Sequence, residues 1–136
     1  MFGSLDISTS ALVAQRTRLD VIAGNIANAH ALQRADGQPG PFARRMALFS
    51  TGDGRGGSGV HVERVMEDDS PPRMVYDPGH PLAIQSGPQK GYVAHPNVDL
   101  SIEMVDAMLA SRAYEANITA MDVTKSVISS TLRLLA

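Results

Sequence analysis

Residues 98–136 read VDLSIEMVDAMLASRAYEANITAMDVTKSVISSTLRLLA, a stretch with neither Pro nor Gly. Pro and Gly are the residues that break helices, so their absence over this length predicts one long helix. Asn97 or Asp99 can cap its start, with Pro96 closing off the preceding loop. Acids lie early (Asp99, Glu103, Asp106) and bases late (Lys125, Arg133), as the helix dipole favours. One apolar stripe runs Tyr114, Ile118, Met121, Lys125, Ile128, Leu132, Leu135. A second runs Ile102, Val105, Leu109, Ala113, Ala116, Ala120, Val123, Val127, Leu134. At 1.5 Å per residue such a helix is about 55 Å long.

Working outward, the composition divides the chain in three. Residues 31–97 hold all 8 Pro and 10 of the 12 Gly. Residues 4–30 contain one Gly and no Pro. The expected organisation is an N-terminal helix over 1–31, a Pro/Gly-rich β insert or arm over 32–97, and the long helix over 98–136. The N-terminal helix carries Leu5, Ser8, Leu12, Gln15, Leu19, Ile22, Ile26 and Ala29 at alternating steps of three and four, the spacing of a coiled-coil seam. Ser4 is a candidate cap for its start. In the insert, Phe42–Phe49, Val60–Val62 and Met74–Tyr76 are strand candidates. The fold class is therefore mainly α: two long terminal helices packed as a coiled-coil pair, with a small irregular β-rich insert between them.

Composition narrows the function classes. Apolar residues make up 43% of the chain, aromatics only 4%, and Trp is absent, so the core is built from aliphatic side chains. A net charge of −2 and no basic cluster give no nucleic-acid footprint. With no Cys, disulfides and thiolate metal sites are excluded. No apolar window is long enough for a membrane span, and the start Met-Phe-Gly-Ser-Leu-Asp has neither the basic nor the apolar part of a cleavable signal.

Candidate sites are few. Gly52-Asp-Gly-Arg-Gly-Gly57 matches G-x-G-x-x-G in form, but β-like Val60–Val62 follows where a dinucleotide site needs a helix, so a loop is expected. Glu67-Asp68-Asp69 lacks the spaced oxygen ligands of a cation loop and reads as a solvated acidic turn. The histidines 30, 61, 80 and 95 are scattered, with no i, i+4 pair. No catalytic constellation and no cofactor is expected. Asn25, Asn28 and Asn117 interrupt otherwise apolar helices: they are either exposed or buried to fix helix register. An intrahelical pair of Arg112 with Glu115 is expected.

A helix that is apolar on two sides needs partners on two sides, and one shorter helix covers only one of them. The candidate assembly interface comprises Leu5, Leu12, Leu19, Ile22, Ile26 and Asn28 on the first helix. On the second it comprises Ile102, Val105, Leu109, Tyr114, Asn117, Ile118, Met121, Val123, Ile128, Leu132 and Leu135. Open, head-to-tail contacts would build a tube or filament; the alternative is a helical adaptor in a small closed oligomer.

Several segments resemble one family. Asn25-Ile-Ala-Asn28, Gly91-Tyr-Val-Ala-His-Pro-Asn-Val-Asp99, Glu103-Met-Val-Asp106 and Ala110-Ser-Arg-Ala-Tyr-Glu-Ala-Asn117 are similar to stretches of the bacterial flagellar rod and hook proteins. So is Asp69-Ser-Pro-Pro-Arg-Met-Val-Tyr-Asp-Pro-Gly-His-Pro81. Gly24 stands where the family often has Asn, and His30-Ala31 where it has Asn-Thr. The resemblance implies a structural subunit of the proximal rod, the drive shaft of the flagellar basal body. It further implies partners among other copies, other rod proteins, the inner-membrane ring and the export apparatus. Export without a cleaved signal and a place in the periplasmic rod follow from the same resemblance.

Overall fold

A computed structural model describes residues 2–54 and 56–135, with the side chains of Phe2 and Leu135 outside the described set. The elements are α1 (Phe2–Ala27), β1 (Arg45–Thr51), β2 (Val60–Glu67), β3 (Arg73–Tyr76), β4 (Tyr92–His95) and α2 (Leu100–Leu135). This is the expected arrangement of two long terminal helices around a small antiparallel insert. β1 starts at Arg45 and runs to Thr51, later than the expected Phe42–Phe49, because residues 42–44 are still approaching the helices. β4 is absent from the strand candidates; its four residues are too few for an alternation to stand out.

Asp99 caps α2, its Oδ1 accepting the amides of Ser101 at 2.8 Å and Ile102 at 3.3 Å. Asn97 instead fastens the insert. Its Oδ1 accepts the Arg44 amide at 2.8 Å, and its Nδ2 donates to the carbonyls of Asp68 and Ser70. α1 begins at Phe2, so Ser4 lies inside its first turn and is not the cap. The expected Arg112–Glu115 pair is not formed; both side chains are exposed, where such a pair contributes only a few tenths of a kcal/mol.

α1 packs against α2 and, with another part of its surface, against β1 and β2. The helices are antiparallel, since Asn25 bonds Glu103 while Arg18 meets Asp106. Every position of the expected α1 seam, from Leu5 to Ala29, is buried or half-buried. On α2 the facing seam is Glu103, Ala107, Ala110, Tyr114, Asn117, Met121 and Thr124, and Ile128 and Thr131 continue its line towards the helix end; none of them is exposed. Its steps alternate four and three.

β1 and β2 form a two-stranded antiparallel sheet, with a register shift between Leu48 and Phe49 that bends it around α1. Gly52, Asp53, Gly57 and Gly59 belong to the hairpin connecting these strands: the Asp53 amide bonds the Gly57 carbonyl and the Gly52 amide bonds that of Gly59. The dinucleotide-loop resemblance thus resolves into a turn. β3 and β4 form a second two-stranded sheet whose backbone, among the described residues, comes close to no other helix or strand and is tied down through loops.

Candidate assembly interface

The most fully buried side chains include two polar ones. Glu103 is 0% exposed and Asn25 1%, both at the level where α1, α2 and the entry to β1 meet. Buried polar groups stay buried only when their bonding capacity is met. Asn25 Nδ2 donates to the Arg45 carbonyl at 2.8 Å and to Glu103 Oε2 at 3.1 Å, while its Oδ1 accepts the Arg45 amide at 2.9 Å. Arg44 Nε donates to Glu103 Oε1 at 2.6 Å. The same guanidinium approaches Asp106 at 3.4 Å and Asp68 at 3.6 Å. Arg18 reaches Asp106 at 3.5 Å.

One hub therefore ties both helices, the entry to β1 and the segment after β2. Burial works against the Arg44 charge, but its bond to Glu103 and the fields of Glu103, Asp68 and Asp106 prevail and raise its pKa. Asp68 is held below its ordinary value, first by the hydroxyl and amide of Ser70 and then by Arg44. Glu67 pairs with Arg34 at 2.5 Å. The segment Glu67–Asp69 is thus not simply a solvated acidic turn: two of its three acids serve internal ion pairs.

The sequence places Asn25 and Glu103 in separate family segments and gives no sign that they bond. It does not single out Arg44 at all. The available signal was an acid at the head of an otherwise apolar and small seam, Glu103 followed by Ala107 and Ala110, which demands a partner.

The candidate interface residues fall into two groups. Leu5, Leu12, Leu19, Ile22, Ile26 and Asn28, with Tyr114, Asn117, Met121 and Ile128, are buried or half-buried within the chain. Asn28 and Asn117 bond carbonyls four residues back, of Gly24 and Ala113, so of the three asparagines only Asn25 bridges elements. Ile102, Val105, Leu109, Ile118, Val123 and Leu132 are exposed, five of them by half or more. Leu135 lies outside the described side chains.

Four of these six share one face of α2 with further exposed residues, while Ile118 and Leu132 lie off it. On α2, Ile102, Val105, Leu109, Ala116, Ala120, Val123, Val127 and Leu134 lie on one stripe, about 120° around the helix from the α1 seam. Arg112 is the one charge within it.

Residues 5–30 match the family described as flagella basal body rod protein, and residues 89–134 the one described as flagellar basal body rod FlgEFG protein C-terminal. The chain is 41% identical to the flagellar basal-body rod protein FlgC of Borreliella burgdorferi, with 99% of this chain and 97% of that one aligned. It is 43% identical to FlgC of Escherichia coli O157:H7 over 95% of this chain and 93% of that one. FlgC of Bacillus subtilis is 39% identical over 98% and 97%. The chain belongs to the flagellar basal-body rod proteins.

As a structural rod subunit, it keeps its family-matching segments on the two helices and their approaches. α1 falls almost wholly in one match, and β4 with α2 in the other. The hub joins them, through Asn25 on α1 and Glu103 and Asp106 on α2.

Proposed function

We propose that this rod subunit builds the proximal rod by laying the exposed stripe of α2 against helices of further copies and of other rod proteins. The single observation behind the reading is that stripe. Ile102, Val105, Leu109, Val123 and Val127 are each 50–59% exposed, and Leu134 88%. Burying them releases water from apolar surface at about 25 cal/mol per Å². A helix covered on one side by α1 and on another by neighbours suits a tube wall, and many such helices packed side by side resist twist. In this reading the tube encloses the export channel and transmits torque. The role is mechanical, not catalytic.

Further parts of the reading follow from family membership: assembly in the periplasm, contact with the inner-membrane ring and export apparatus, and export without a cleaved signal. Leu109→Asp and Val123→Asp test the interface. Both positions are exposed in the free chain, so the variants remain foldable, yet a carboxylate in the stripe opposes burial. The expected result is soluble protein with no intact rod by electron microscopy and no swimming. Normal basal bodies in both variants would overturn the reading. A small closed oligomer by sedimentation, with no rod phenotype, would favour an adaptor.

A further inference from the structure

We propose that the projecting end of α2 in one copy seats in the groove between α1 and β2 of a second copy. The inference rests on the rod-subunit reading and adds to it a second contact, distinct from the α2 stripe. In the antiparallel register set by Asn25–Glu103 and Arg18–Asp106, Phe2 lies level with α2 residues near 124. The last turns of α2, about ten residues or roughly 15 Å, therefore run past the start of α1. This end is apolar, with Leu132 61% and Leu134 88% exposed. Its charged side chains are basic, Lys125 and Arg133, and no acidic side chain follows Asp122.

The socket has the complementary character. A groove of about 540 Å³ runs between α1 and β2, floored by Val13, Ala14, Val60, Val62 and Val65. Val13 is 63% exposed and Val65 45%. Asp6, Val13 and Asp20 recur every seven residues and so lie on one face of α1. Both aspartates are exposed and make no ion pair among the described residues, leaving an acid on either side of the apolar floor. Arg64 also lines the groove, and Asp122 at the base of the projecting end carries the opposite charge.

The end of α2 cannot reach the groove of its own chain. The groove lies on the face of α1 turned away from α2, and α2 is one continuous helix that points past the start of α1. Knob and socket sit at different heights, about 18 residues apart along the helix pair, which is about 27 Å. A knob and a socket offset in this way make a heterologous contact that repeats without closing.

The chain has no cysteine, so cross-linking is free of background. Chains carrying both Val13→Cys and Leu132→Cys are oxidised within isolated basal bodies. Linked multimers of this chain are expected, while each single variant stays unlinked and a mixture of the two singles gives linked dimers. Asp6→Lys with Asp20→Lys is expected to cut the linkage several-fold, and Arg133→Glu to restore it. Basal bodies that contain the chain but link neither at this pair nor at Val65→Cys with Leu134→Cys would overturn the proposal and leave the rod reading standing. Linkage of Leu132→Cys to a different rod protein would overturn it too. Basal bodies that lack the wild-type chain would instead overturn the rod reading beneath it.

Discussion

Arg44 donates its Nε hydrogen to Oε1 of Glu103 at 2.6 Å, and the Glu103 side chain is wholly buried. A buried carboxylate is tolerable only while its partner remains. Arg44→Ala is therefore expected to cost about 3–5 kcal/mol, because it leaves Glu103 uncompensated. The double change Arg44→Met with Glu103→Leu removes both charges and keeps the volume, and is expected to recover most of that loss. Urea unfolding of the three proteins measures this. A double variant no more stable than Arg44→Ala would mean that something other than the unpaired carboxylate sets the cost.

Asn25 gives a sharper test, since its amide is both donor and acceptor. Asn25→Ala strands the Arg45 amide and carbonyl, for an expected loss of about 2–3 kcal/mol. Asn25→Asp keeps the acceptor for the Arg45 amide but sets a second carboxylate against Glu103 Oε2, where Nδ2 now sits at 3.1 Å. Two carboxylates sharing a site raise the pKa of one of them. A raised folded pKa confers stability at low pH that is lost as pH rises through it. Asn25→Asp is thus expected to be weaker than Asn25→Ala at pH 7 and to gain on it as pH falls towards about 5. Parallel pH profiles for the two variants would refute this.

The helices were legible because their signals are local. Missing Pro and Gly, a cap at Asp99 and three-four spacing all act within a few residues. The α1 seam from Leu5 to Ala29 was readable for the same reason. On α2, two stripes were visible but not which one α1 would take. The seam drew residues from the first, such as Tyr114, Met121 and Ile128, together with small and polar ones such as Ala107, Ala110 and Thr124. That choice depends on how Glu103 meets Asn25 across 78 residues of sequence, a pairing that no periodicity encodes. Arg44 was invisible for a related reason: it lies between the loop and β1, and its three acidic partners come from two distant segments.

Asp68 carries an acid-side expectation. Its pKa lies below the ordinary 3.8, first through Ser70 and then through Arg44. A depressed folded pKa gives stability that is present above the unfolded value and lost as pH falls through the folded one. The contribution from Asp68 is therefore complete above about pH 4 and disappears below it. Ser70→Ala removes the hydroxyl bond while keeping the amide bond, so the Asp68 pKa should rise part of the way towards 3.8. Carboxyl chemical shifts followed through an acid titration measure this directly, and an unmoved Asp68 would leave the depression to the Ser70 amide and Arg44.

Gly59 sits where β2 is fastened to α1. Its φ is +136°, a region that only glycine enters freely, and a Cβ there would collide with Ser10 Oγ. That hydroxyl accepts the Val60 amide at 3.1 Å and donates to the Ile7 carbonyl. Gly59→Ala must therefore both strain the backbone and displace Ser10. The expected cost is about 2–3 kcal/mol, with strain and a lost hydrogen bond contributing similar amounts. Ser10→Ala removes the bond without the strain and should cost about 1 kcal/mol. Hydrogen exchange locates the damage: in Gly59→Ala, protection should fall at Val60 and along β2 while the α1–α2 seam near Ala110 keeps its own. Equal loss at Ala110 would mean that the hairpin and the helix pair open as one cooperative unit.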